Sequence, residues 1–252
     1  MAGFDPTRIR VLAFDIFGTA VDWYTGVSRQ LAELFAEAGL AVDAGAFASA
    51  WRDRYAPSMQ RVRTGERAWA VLDTLHRESL DELLRHHGLA DRVGEDARRR
   101  AVRAWHRLPA WDDAAAGLTR LREHYLLAAL SNAGFSALTR LVKAAGLTFD
   151  CILSAELAHA YKPDPRVYRT AAALLDVEPD QMLMVAAHIG DLRGAHAAGL
   201  RTAFVHRPAE KGPHRAADHP GKAGSDLTAV SFTDLADQLG QLRTAAPGVQ
   251  KA

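Results

Sequence analysis

The stretch RVLAFDIFGT, residues 10–19, decides how the chain is organised. Residues 10–14 form a short apolar run, Asp15 ends it, and Gly18 follows closely. That pattern predicts a buried strand with a carboxylate at its C-terminal tip. Four similar runs come later: residues 126–130 (LLAAL), 151–153, 182–187 (MLMVAA) and 202–205 (TAFV). No convincing strand lies between residues 14 and 126. Residues 25–107 read instead as four or so amphipathic helices. Val27, Leu31, Leu34 and Phe35 share one helical face, and so do Leu72, Leu75, Leu83 and Leu84. Gly39 and Gly88 are expected to close helices. After Asp112, an expected N-cap, strands alternate with helices over 112–123, 135–145, 166–175 and 191–198, two of them closed by Gly146 and Gly199.

The expected fold is therefore α/β. A Rossmann-like parallel-sheet core is formed by residues 1–22 and 108–252, and an α-helical cap, 23–107, is inserted after the first strand. Right-handed crossovers put helices on both faces of such a sheet, and ligands bind beyond the carboxyl ends of its strands. Residues 207–226, rich in Pro, Gly, His and Lys, read as a long surface loop. Residues 229–232 read as a last edge strand, 233–242 as a last helix and 244–252 as a frayed end.

Composition narrows the class. At 252 residues the chain can build a full core. With 48% hydrophobic residues it is not a disordered chain. Lys and Arg number 31 against 30 Asp and Glu, a balance that favours neither a nucleic-acid nor an anionic-membrane partner. The one basic cluster, Arg98, Arg99, Arg100 and Arg103, reads as a solvated helix face. The single cysteine, Cys151, excludes an internal disulfide and reads as an inert buried thiol. No apolar run approaches the ~20 residues of a membrane span. The opening residues lack the pattern of a signal peptide. A cytoplasmic location is expected.

Each core strand ends in polar residues on the edge where the fold places its ligand. The first gives Asp15, with Thr19 four residues on. The second gives Ser131 and Asn132. The third leads into Tyr161-Lys162-Pro163-Asp164, and the fourth gives His188 and Asp191. Taken singly, each has a plain structural reading as a turn, a cap or a surface lysine. The convergence of all four on one edge carries the signal. A carboxylate at Asp15 can attack an electrophilic carbon or phosphorus to form a covalent intermediate. Lys162 keeps that carboxylate ionised. Ser131, Asn132 and helix N–H groups can donate to an anionic substrate. Asp191 can orient or deprotonate the water that cleaves the intermediate.

Asp15-Ile-Phe-Gly-Thr19, Leu130-Ser-Asn132, Lys162-Pro163 and the Asp191 segment resemble the four motifs of the haloacid dehalogenase superfamily over essentially residues 8–240. The resemblance implies a Rossmann-like core with an inserted cap. Phosphatases of that superfamily carry a second Asp two places after the nucleophile, where this chain has Phe17. They also carry a metal-binding acid where this chain has Ala186-Ala187. The aromatic at Phe17 resembles the type II 2-haloacid dehalogenase branch. Trp51-Arg52 resembles its halide-binding position, residues 105–113 its cap–core junction, and Lys162 through Tyr168 its lysine motif.

That resemblance implies hydrolysis of short 2-haloalkanoates to 2-hydroxyacids, with no metal and no cofactor. Asp15 displaces halide from C2, forming an ester, and water activated by Asp191 hydrolyses it. Lys162 and Tyr168 support the carboxylates. Ser131 and backbone N–H groups, including that of Ile16, hold the substrate carboxylate. Arg52 and Asn132 receive the halide, with Arg54 the competing arginine. The partners implied are a small 2-haloacid and its halide, and a homodimer is carried over from the branch. Members of the branch bear a Ser-Ser-Asn run and an aromatic before the catalytic Asp; this chain has Ala186-Ala187-His188-Ile189-Gly190. His188 either hydrogen-bonds Asp15 or its water, or merely supports Asp191. Gly190 implies a different pocket shape. A phosphatase or other hydrolase on the same nucleophile, and a non-catalytic acid-binding member, are the alternatives.

Overall fold

The computed structural model describes residues 4–245. β1 (Val11–Phe14) is buried along its whole length, as the apolar run requires of a strand covered on both faces. Five helices follow: α1 (Trp23–Glu37), α2 (Ala44–Asp53), α3 (Tyr55–Arg63), α4 (Leu72–His86) and α5 (Glu95–Ala104). α1 and α2 begin where short acids cap them: Asp22 accepts the Thr25 N–H at 3.0 Å and Asp43 that of Ala46 at 2.9 Å. Gly39 and Gly88 follow α1 and α4 with φ of 62° and 65°, a region that favours glycine.

The alternating half then runs α6 (Ala114–Arg122), β2 (Leu126–Ser131), α7 (Phe135–Ala144), β3 (Cys151–Ser154), α8 (Pro165–Leu174), β4 (Met182–Ala186), α9 (Ile189–Ala197), β5 (Arg201–Val205), β6 (Leu227–Ala229) and α10 (Phe232–Ala245). All six strands form one parallel sheet in the order β3-β2-β1-β4-β5-β6. The fold is α/β. The chain leaves β1 toward β2 on one side and returns to β4 on the other, so the sheet's switch point lies at the carboxyl ends of β1 and β4. Phe14 pairs with Val185 there, which sets the residues after each strand side by side.

Several expectations are corrected. α6 begins at Ala114, and its N-cap position is held by Asp113, not Asp112. The Asp113 carboxylate is drawn away to Arg207, at 2.6 and 3.0 Å, and to the Phe232 N–H at 2.6 Å. The edge strand falls on Leu227–Ala229, two residues before the expected one, because Phe232 opens α10 and is fully buried. α10 runs on through Thr244; residues 246–252 of the expected frayed end lie outside the described residues. Cys151 is half-buried rather than buried, and burial pushes its thiol up. The basic cluster on α5 is the solvated face expected of it: Arg99, Arg100 and Arg103 are exposed, and Arg98, Arg99 and Arg100 pair with Asp81, Asp96 and Glu37.

The core runs continuously from the sheet into the five-helix segment. Trp105 joins them. It stacks on Trp23 at 6.0 Å and meets Trp51 and Phe17 edge-on at 5.6 Å each. Aromatic pairs at these distances add about 0.5–1.5 kcal/mol each beyond their buried area. Among the described residues no helix is long and apolar enough to cross a membrane.

Candidate active site

A cavity of about 230 Å³ opens at the switch point. Asp15, one residue beyond β1, and Asp191, in the first turn of α9, lie against one ammonium. Lys162 Nζ donates to Asp15 Oδ1 at 2.8 Å, to Asp191 Oδ2 at 2.6 Å and to the Leu130 carbonyl at 2.9 Å. Its three protons are thus assigned, and all three side chains are buried. Asn132, at the tip of β2, fixes this lysine's backbone: its Oδ1 accepts the Lys162 N–H at 2.8 Å. Asp164 caps α8 just downstream, accepting the Arg166 N–H at 2.9 Å.

The two carboxylates are driven apart electrostatically. Burial works against charge on Asp15, but Lys162 and His188 outweigh it and hold the carboxyl well below its usual range. Asp191 moves the other way: burial, reinforced by the Asp15 charge, raises it despite Lys162. Burial penalises the Lys162 ammonium, yet its two acids keep it charged far above the ordinary lysine range. One acid is set as a permanent anion and the other as a proton acceptor, the division a nucleophile and a base require.

The expected residues fall into two groups. Asp15, Phe17, Arg52, Asn132, Lys162, His188 and Asp191 line the cavity. Thr19, Tyr168, Ser131 and Ile16 stand behind it. The Thr19 hydroxyl accepts the Ala187 N–H at 2.9 Å and donates to Asp15 Oδ2 at 2.8 Å. Tyr168 donates to Asp191 Oδ1 at 2.6 Å. Ser131 Oγ accepts the Ala133 N–H at 3.2 Å, which leaves its own proton free to donate. Ile16 is fully buried, and its carbonyl closes the turn through the Ala20 and Val21 N–H groups.

The competing arginines separate cleanly. Arg52 reaches the cavity from α2, 4.0 Å over the Tyr55 ring and 5.4 Å from that of Trp23. Its Nη1 is buried and has no hydrogen-bond partner. A half-buried cation held by aromatic faces with an unused donor is built to receive an anion. Arg54 points elsewhere: its Nη1 donates to the Ala50 carbonyl at 2.8 Å, and it lines a separate cleft with Glu78 and Glu82.

His188, not Asp191, holds the N-cap position of α9, but its side chain makes no capping hydrogen bond and its ring lies between two acids. Nδ1 is 3.0 Å from Asp15 Oδ2 and Nε2 is 3.1 Å from Glu210 Oε1. Glu210 was hidden in the sequence. It belongs to the stretch read as a surface loop, yet it is 2% exposed, and nearby Arg207 is 6% exposed. Nothing in a lone Glu between Ala209 and Lys211 signals burial. Tyr55 was likewise missed, though it stands three residues after Arg52 on the cavity side. Gly190 lines the mouth, and a side chain there would meet open space.

A family model for haloacid dehalogenase-like hydrolases matches residues 9–199. The (S)-2-haloacid dehalogenase 4A of Burkholderia cepacia is 34% identical over 202 residues, covering 79% of this chain and 84% of that protein. The (S)-2-haloacid dehalogenase 1 of a Pseudomonas species (strain CBS-3) is 34% identical over 207 residues, 81% of this chain and 86% of that one. Among solved structures, a defluorinating L-2-haloacid dehalogenase superposes with a TM-score of 0.89 at 42% identity, covering 92% of this chain and 95% of its own. Another L-2-haloacid dehalogenase gives 0.86 at 41% identity, with 92% and 99% covered.

Proposed function

The chain belongs to the haloacid dehalogenase-like hydrolases, and from that premise we propose that it hydrolyses short (S)-2-haloacids to (R)-2-hydroxyacids and halide. The observation that carries the reading is the pairing of a charged, buried Asp15 with the unused donor of Arg52 across one small cavity.

The reaction follows from that geometry. Asp15 attacks C2 from the side opposite the halogen, and the C2–halide bonding pair leaves with the halide toward Arg52. The configuration at C2 inverts. Asp191 takes a proton from water as the water adds to Cγ of the new ester. The bond from Cγ to the substrate-bearing oxygen then breaks, and the hydroxyacid departs without a second inversion. Lys162 balances the two acids, Thr19 and Tyr168 orient them, and His188 donates to Asp15. Phe17 and the pair Ala186-Ala187 stand where a metal-assisted phosphatase would place acids. Asn132 and backbone N–H groups complete the anion contacts.

Residues 23–107 form the cap in this proposal and residues 1–22 and 108–252 the core, since α2 and α3 bring Arg52 and Tyr55 over Asp15. A homodimer and a cytoplasmic location belong to the same proposal, and light scattering of the purified protein checks the first.

The test is halide release from (S)-2-chloropropionate, before and after exhaustive chelation, followed by a single turnover in heavy-oxygen water. Activity that survives chelation, with the label in the Asp15 peptide, is the expected result. Label in the hydroxyacid alone means direct attack by water and overturns the covalent route. No halide release overturns the function.

A further inference from the structure

The carboxylate–imidazole–carboxylate line Asp15–His188–Glu210 goes beyond the attack on carbon. Glu210 Oε1 accepts from the Trp23 indole N–H at 2.7 Å as well as facing His188. Its side chain fills the space against Gly18, whose φ is 81°; a Cβ there would lie 2.6 Å from Oε1. With an acid facing each ring nitrogen, both nitrogens must carry protons, so the ring is an imidazolium.

The two oxygens of Asp15 are occupied unequally. Oδ2 receives the Thr19 hydroxyl and His188 Nδ1–H, whereas Oδ1 receives Lys162 alone. A carboxylate oxygen offers about two lone-pair directions. Oδ2 is therefore full, and Oδ1 keeps one direction for a substrate.

Resting on the dehalogenase reading, we propose that Oδ1 is the attacking atom and that Thr19 with the Glu210-held His188 forms the oxyanion site for ester hydrolysis. In the first step the Oδ1–C2 bond forms as the C2–halide bond breaks. In the second, water oxygen adds to Cγ, its proton passes to Asp191, and the Cγ–Oδ2 π pair moves onto Oδ2, where His188 and Thr19 already point. The pair returns, the Cγ–Oδ1 bond breaks, and the departing hydroxyacid oxygen takes the proton from Asp191. The proton left on the regenerated Asp15 carboxyl goes to solvent, matching the acid formed with the halide.

Glu210 has a specific reason to be there. Once alkylated at Oδ1, Asp15 is neutral; its Oδ2 still accepts from the ring as a carbonyl oxygen, but only Glu210 keeps a negative charge beside the imidazolium. In the free enzyme burial opposes the His188 charge, but the hydrogen bonds to Asp15 and Glu210 push its pKa up to about 10. Glu210 itself is held down to about 2, burial being outweighed by His188 and Arg52. The other charges facing this ring are Asp218, paired with Lys211 at 3.1 Å, Asp191 on its own helix, and Arg52 across Glu210. Glu210 is thus a positioning residue, acting through His188.

Rapid-quench single turnovers with (S)-2-chloropropionate test this, comparing the wild type with Glu210→Gln and His188→Ala. Both variants are expected to release about one halide per site and then stall as an ester on the Asp15 peptide, read by mass. Ester decay should slow about 10²-fold. In Glu210→Gln its alkaline limb should fall by about one pH unit or more, as a ring without its acid titrates lower. The halide burst certifies that the variant site is folded. If Glu210→Gln lacks the burst, His188→Ala decides. Ester decay at the wild-type rate and pH profile overturns the inference while leaving dehalogenation intact. Absence of halide from the wild type overturns both.

Discussion

The Lys162 ammonium lies 2.8 Å from Asp15 Oδ1, with both side chains almost wholly buried, and it is the one cation that also bonds Asp191 among the described residues. Two buried acids are therefore held together by a single positive charge. Replacing it with a chain of similar shape leaves Asp191 with no cation and Asp15 with His188 alone, so the two like charges face each other with most of their compensation gone. Lys162→Met is expected to lose about 3–5 kcal/mol of stability in urea titration, and halide release should fall by about 10³-fold. Activity within tenfold of wild type would show that the ammonium is not the element holding Asp15 charged.

The arginines give a paired prediction. Arg52→Lys keeps the charge but loses the planar group that stacks on Tyr55 and presents Nη1. Its kcat for 2-chloropropionate should drop by about 10²-fold. Arg54→Ala removes a helix-surface contact to Ala50 and should stay within about threefold of wild type. Equal losses in the two variants would contradict the assignment of the halide site.

Gly190 sets the reach of the cavity. A Cβ added there meets nothing within 4 Å, so the backbone accepts a side chain at this point of the cavity lining, and the ring of Gly190→Phe is expected to narrow the mouth. A pocket distinguishes one methylene by about 1–3 kcal/mol. The variant should therefore lose at least about tenfold in kcat/KM for 2-chlorohexanoate relative to chloroacetate. An unchanged ratio would mean that the longer chain runs elsewhere.

His76, on α4, is expected to make the fold acid-sensitive. It is buried, stacked on Trp105 at 4.5 Å, and neither ring nitrogen has a partner. Burial pulls its pKa down from 6.5 to about 3. Between those values the unfolded chain binds a proton that the folded chain does not. Its contribution is therefore complete above pH 6.5 and is lost as pH falls toward 3. His76→Phe should cut the stability lost between pH 7 and pH 4.5 by on the order of 2 kcal/mol. Urea unfolding at the two pH values measures it, and an undiminished loss would assign the sensitivity to the carboxylates.

Local pattern in the chain determined the strand-tip acids, the helical stretch after the first strand and the alternation that follows. It did so because apolar periodicity, caps and terminal glycines act within a few residues of one another. Asp15 and Asp191 were legible because one follows β1 and the other opens α9, and Lys162 because it lies in the segment that leads from β3 into α8. Tertiary structure alone decided what lies across space. It brought Glu210 to His188 and to Trp23, which is 187 residues away, and set Arg52 rather than Arg54 in the cavity lining. The physical reason is the strand order. Setting β1 beside β4 carries distant loops over the same carboxylate, and a buried charge there is stabilised only by partners that no local pattern records.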